Sequence, residues 1–140
     1  MKLEGEESKN SLREAGNLAL SLGILQHFAE AKAHLRKMIP VARRVLGENY
    51  ETTLRMRSQY ARVLYADPDA TLDDIREAVT MLEETERAAC HVLGPSHPIS
   101  IGIGRDLKNM RGGLRIRKWG ALVLAVAIAA VAWVFGAGTK

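Results

Sequence analysis

A chain of 140 residues, 47% hydrophobic and 26% charged, is sized for one folded domain and is too apolar for intrinsic disorder. A formal charge of only +4 and an aromatic content of 5% exclude the basic, stacking-rich surface of a nucleic-acid binder. The single cysteine, Cys90, excludes an internal disulfide framework and is compatible with a reducing compartment. Four prolines among many Ala, Leu, Glu and Arg residues favour helix throughout.

Residues 1–10 are charged, lack the apolar core of a secretory signal and are expected to be flexible. The first helix is predicted over roughly Ser11–Leu22, with Ser11 and Glu14 spaced as a capping box and Gly23 as its stop. The second runs from about Gln26 to Leu46 and stops at Gly47. Pro40 falls inside it and is expected to kink it or break its hydrogen bonding locally. The third is predicted over Glu51–Tyr65. After the turn-like Asp67-Pro68-Asp69-Ala70-Thr71, the fourth covers Leu72–Leu93, opened by a Thr71/Asp74 capping box and closed by Gly94-Pro95. A fifth begins near Pro98, a favourable early-helix residue. It continues through Leu107 and Met110 toward Leu114, weakened at Gly112-Gly113. Apolar positions recur at three and four residues: Leu18, Leu22, Leu25 and Phe28, then Leu35, Met38, Ala42 and Val45.

The segment 119–136, WGALVLAVAIAAVAWVFG, holds no charged side chain. As α-helix it is about 27 Å long, enough to cross a hydrocarbon core of about 30 Å. It also lacks the polar face that a helix packed on so small a domain would show. Trp119, Trp133 and Phe135 stand near its ends, where aromatic rings favour the membrane interface. The preceding basic segment, 113–118, with Arg111 just before it, supplies Arg111, Arg115, Arg117 and Lys118. That flank predicts a single-pass span with the helical domain facing the cytosol, and the short tail 137–140 predicts tail-anchored topology. The shortness of the span suits a thin membrane such as the endoplasmic reticulum. The small pairs Ala125/Ala129 and Ala132/Gly136 allow another helix to approach, hence weak self-association, although an Ala-rich span produces such pairs by composition alone. The basic cluster also attracts anionic head groups, but topology alone accounts for it.

The helices repeat. Leu25, Phe28, Glu30-Ala31, Leu35, Ala42 and Val45-Leu46-Gly47 match Leu72, Ile75, Glu77-Ala78, Leu82, Ala89 and Val92-Leu93-Gly94, at an offset of 92 − 45 = 47. Ahead of each block, Leu18-Ala19 and Leu22 match Tyr60-Ala61 and Leu64, at 61 − 19 = 42, the difference being the five-residue turn 67–71. Two helical hairpins, about 11–47 and 51–94, and a half unit, 97–112, follow. Each hairpin exposes an apolar side that stacking buries. The small Ala19 and Ala61, the paired Glu-Ala of each second helix and the closing Val-Leu-Gly-x-x-Tyr/His, with His97-Pro98, resemble the tetratricopeptide repeat, especially the kinesin-light-chain variety. The resemblance covers about 11–112. Its departures are the insertion, Tyr50-Glu51 in place of His-Pro, and the incomplete third unit.

The resemblance implies an all-α solenoid of about two and a half stacked antiparallel hairpins, followed here by a transmembrane helix. It implies protein–protein binding rather than catalysis. Its inner groove is lined by first helices, which places Arg13, Asn17, Leu20, Arg55, Gln59, Arg62, Arg105, Asp106 and Asn109 there. Four arginines in that set suit an acidic peptide or protein partner, because guanidinium grips carboxylates in bidentate fashion. A plain solvated helix face is the alternative.

No reaction centre assembles from the residues. Cys90 and His91 are adjacent on a helix and point about 100° apart. The four histidines lack metal-ligand spacing, and Gly102-Ile103-Gly104 is a fragment without a following glycine or strand. No catalytic, cofactor or metal residues are expected. The function expected is a membrane-anchored adaptor. The alternatives are a structural membrane component that assembles through its span, and a truncated repeat protein without a ligand.

Overall fold

The computed structural model describes the backbone of residues 2–137 and the side chains of residues 8–117 and 119–136. Five helices follow one another: α1 (Lys2–Ile24), α2 (Phe28–Leu46), α3 (Glu51–Ala66), α4 (Leu72–Val92) and α5 (Pro98–Ala137). No strand occurs among the described residues. Loops of three to five residues force consecutive helices to pack antiparallel, so α1, α3 and α5 run one way and α2 and α4 the other. The centre is α3, which touches all four other helices.

Local sequence explains most of the boundaries. Gly47 (φ 103°) and Gly94 (φ 95°) end the second helices in the left-handed region, where a side chain would be strained. Thr71 and Asp74 form the predicted capping box: the Thr71 hydroxyl accepts from the Asp74 amide at 3.1 Å, and the Asp74 carboxylate accepts from the Thr71 amide at 2.9 Å. Those bonds, from the Thr71 backbone first, hold the Asp74 carboxyl below its ordinary pKa. At the start of α5, His97 Nδ1 accepts from the Ile99 amide at 3.2 Å, and Pro98 takes the first helical position, where its missing amide costs nothing.

Several expectations are corrected. The first helix begins at Lys2 rather than Ser11, so Ser11 and Glu14 lie inside α1 rather than capping it. Lys, Leu and Glu in that stretch are good helix formers, and the helix extends through them. Gly23 does not end α1. The chain turns at Gln26, whose φ is 63°. Pro40 sits within a continuous α2. Gly112 and Gly113 do not interrupt α5, so the half unit and the apolar segment are one helix of 40 residues. Tertiary packing accounts for this, because Met110 is buried just before the glycines and Leu114 half-buried just after. Gly113 faces Tyr65 so closely that a Cβ would overlap the tyrosine hydroxyl. The glycine that weakens the helix is thus the residue that lets α3 approach it. Residues 138–140 of the expected tail lie outside the described residues.

The core is a single layer between hairpins. Leu12, Ala15 and Ala19 of α1 meet Ala31, Leu35, Ile39 and Ala42 of α2. Leu54, Tyr60, Ala61 and Leu64 of α3 meet Ala78, Val79, Leu82 and Ala89 of α4, and Ile103, Leu107 and Met110 of α5 close the stack. Of the predicted apolar set, Leu35 and Ala42 are buried, Leu22, Phe28 and Met38 are half-buried, and Leu18, Leu25 and Val45 are exposed.

Polar ties lock each end. At one end, Arg57 is buried on α3 and donates to Glu48 of the α2–α3 loop and Glu84 of α4, both at 3.1 Å. At the other, Lys32 of α2 donates at 2.6 Å to Asp67, the first residue of the insertion. That bond, with the Asp69 amide, lowers the Asp67 pKa. Between them Arg36 donates to the Tyr60 hydroxyl at 2.8 Å, which donates to Glu77 at 3.1 Å. Burial nevertheless pushes the Tyr60 phenol above its ordinary value.

Candidate functional site

The codirectional helices α1, α3 and α5 form one side of the stack. Two shallow cavities lie along it. One, of about 270 Å³, is lined by Arg13, Gly16, Asn17, Glu51, Arg55 and Gln59, with Thr52 and Met56 beneath. The next, of about 280 Å³, is lined by Leu20, Arg55, Ser58, Gln59, Arg62 and the start of α5 at Pro98–Ile103. Arg55 and Gln59 belong to both, so the two form one strip. Six of the sequence-selected residues, Arg13, Asn17, Leu20, Arg55, Gln59 and Arg62, line it together. Asp106 joins its edge by accepting from Arg62 Nε at 2.5 Å. Arg105 and Asn109 are exposed on α5.

The charge of the strip differs from the count of its arginines. Arg55 pairs with Glu51 at 3.0 Å, one helical turn away, and Arg62 with Asp106. Arg13 and Arg105 have no ion pair among the described residues. Two of the four guanidinium groups are therefore neutralised internally. A carboxylate arriving at Arg55 or Arg62 would share the guanidinium with a partner already in place.

Sequence reasoning missed a third cavity. Leu20, Gly23, Ile24 and Phe28 of the first hairpin meet Gln59, Arg62, Val63 and Ala66 of α3 around about 150 Å³, with an almost wholly apolar lining. No local signal marks it: a Cβ at Gly23 would meet Val63 at 3.5 Å, an ordinary contact, so the cavity follows from how the helices pack. Gln59 lines all three cavities, and its Oε1 is buried without a hydrogen-bond partner among the described residues. A buried amide oxygen without a partner is a costly feature.

The basic flank is partly engaged. Arg111 donates to Glu83 at 2.7 Å, and the Arg117 guanidinium lies 5.9 Å from the centre of the Tyr65 ring. Arg115 is exposed, and the Lys118 side chain lies outside the described residues. Beyond it, α5 is the one helix among the described residues long and apolar enough to cross a membrane. None of its apolar window is buried against the rest of the chain. Among the described residues no cluster of histidine, cysteine and carboxylate is arranged to hold a metal ion.

No curated protein and no solved structure matches the chain. Residues 15–49, from the buried face of α1 through the glycine that closes α2, match the family model of the tetratricopeptide repeat.

Proposed function

We propose that this chain is a membrane-anchored scaffold that binds a protein or peptide partner in the strip between α1, α3 and α5. Tetratricopeptide repeats generally bind protein partners, and the repeat match at 15–49 supports that part of the reading. The spacing of the closing elements further supports repeats of the kinesin-light-chain variety. The observation that carries the binding site is the continuous strip of two cavities that share Arg55 and Gln59 and are lined by Arg13, Asn17, Leu20 and Arg62. An extended peptide's acidic side chains suit Arg13 in the strip and the exposed Arg105 beyond it on α5. Anchoring is supported by the exposed apolar half of α5. The basic flank supports a cytosolic repeat, and the span's length a thin membrane.

The test is affinity capture of the full chain from its native membrane, alongside the double variant Arg13→Glu, Arg105→Glu. The reading expects a recovered partner that the double variant loses while the chain stays in the alkali-resistant membrane fraction. Equal capture by both would remove the groove, and release of the unmodified chain by alkaline carbonate would remove the anchor.

A further inference from the structure

The antiparallel order places both tight turns of one kind at one end of the molecule. The α1–α2 turn (25–27) and the α3–α4 turn (67–71) lie there, and the α2–α3 and α4–α5 turns lie at the other. The contacts fix the level: Ile24 lines the apolar cavity with Ala66, and Tyr65 abuts Gly113 of α5. The tip of the first hairpin therefore stands level with Gly113, on the side from which the apolar half of α5 departs.

That tip is unusually apolar for a turn. Ile24 is 73% exposed and Leu25 66% exposed, and the exposed Leu72 opens α4 beside the neighbouring turn. From the tip to Trp119 along α5 is six residues, or about 9 Å. With α1 two packing distances from α5, about 18 Å, the seating requires a tilt of about 20° toward α1, an ordinary value for a single span, which lowers the tip by about 6 Å. It then stands about 3 Å from the level of Trp119, within a headgroup layer about 5–8 Å thick on each side.

We infer that the Ile24–Leu25 turn is a second membrane contact, which seats the repeat domain against the lipid headgroup layer of the bilayer that α5 enters. This rests on the anchoring reading above. The occupant is lipid because the turn and the exposed apolar half of α5 lie at the same end of one stack. The charges at that end select the lipid. Asp69 on the second turn and Asp73 in the first turn of α4, the latter paired with Arg76 at 3.2 Å, are exposed at that end, as are Arg115 and Arg117 on α5, so the face is mixed rather than basic. Such a face suits a zwitterionic surface and gains little from anionic lipid. Docking there leaves the strip centred on Gln59 turned sideways, open to a cytosolic partner.

The test places an environment-sensitive nitrobenzoxadiazole label at position 25, 50 or 123 (Leu25→Cys, Tyr50→Cys, Val123→Cys). Each is made in the full chain with Cys90→Ser, in phosphatidylcholine vesicles carrying nitroxide lipids. The label at 25 should emit to the blue and be quenched most by nitroxide near the head group. The label at 50, on the opposite end, should stay water-like, and the label at 123 should be quenched by deep nitroxide. Adding Ile24→Asp should abolish quenching at 25 and leave position 123 unchanged. An unquenched, water-like label at 25 with a quenched label at 123 overturns the docking and leaves the anchor intact. A blue shift at 25 without lipid quenching assigns the turn to a second copy or another protein, and overturns it too. An unquenched label at 123 removes the anchor itself, and the docking with it.

Discussion

The two hairpins carry the same pattern and bury it differently. Positions that face the partner helix of their own hairpin agree: Ala19 and Ala61, Ala31 and Ala78, Leu35 and Leu82, and Ala42 and Ala89 are all fully buried. Positions that face a neighbouring hairpin diverge. Leu18 is half exposed while its counterpart Tyr60 is buried, and Phe28 is half-buried while Ile75 is fully buried. The second hairpin is packed on both sides, by α2 and α5. The first has described neighbours on one side alone, and it keeps the exposed apolar residues that form the turn at Ile24–Leu25. The difference teaches that the repeat encodes the hairpin, and the stack decides which of its outward residues become core.

The largest expected effect breaks the pair that differs most. Tyr60→Ala should cost about 3–5 kcal/mol, whereas Leu18→Ala should stay within about 0.5 kcal/mol, measured by urea unfolding of the chain in detergent micelles. Equal losses would mean that Leu18 is covered in solution and that the two hairpins are equivalent after all. Arg57 gives the next test, because its counterpart in the first hairpin is Ala15, which packs without charge. Arg57→Ala should cost about 1–3 kcal/mol, with Glu48 and Glu84 losing a common donor. Arg57→Met, which keeps the volume, should recover most of that loss.

A smaller effect separates the second helices. α4 opens on a reciprocal cap, whereas His27 before α2 makes no capping bond through its side chain. Thr71→Ala should therefore cost about 1 kcal/mol, and His27→Ala close to nothing, in the same unfolding assay. The pH dependence is gentler still. The Asp67 and Asp74 carboxyls are held below their ordinary values in the folded chain, by Lys32 and by Thr71 respectively. Their contribution is present above the unfolded value of about 4 and fades as pH falls through the depressed folded values. Acid titration of unfolding should show stability declining below about pH 4, and Lys32→Met should flatten that decline if the Asp67 bond is its source.

Much of the fold was legible because its signals are local. Helix ends marked by Gly47, Gly94 and the Thr71/Asp74 box follow from backbone sterics and from hydrogen bonds within four residues. The repeat offset likewise reports a structural unit that each hairpin carries by itself. Six of nine proposed groove residues line one strip because helical periodicity and the repeat alignment together select a face. What failed failed for nonlocal reasons. Glycine at 113 reads as a helix breaker until the Tyr65 ring is seen against it. Arg55 and Arg62 read as free cations until Glu51 and Asp106 are found beside them.

The amino-acid sequence by itself determined that the chain is helical, that two hairpins repeat, and that its last third contains an uninterrupted apolar run. These depend on propensity, period and composition, which are properties of neighbours along the chain. Tertiary structure alone decided which apolar residues are core, that the last helix continues unbroken from the repeat into the apolar run, and that Gln59 lines all three cavities between α1, α3 and their neighbours. Those outcomes depend on which helix faces which, and close packing between residues far apart in the chain sets that.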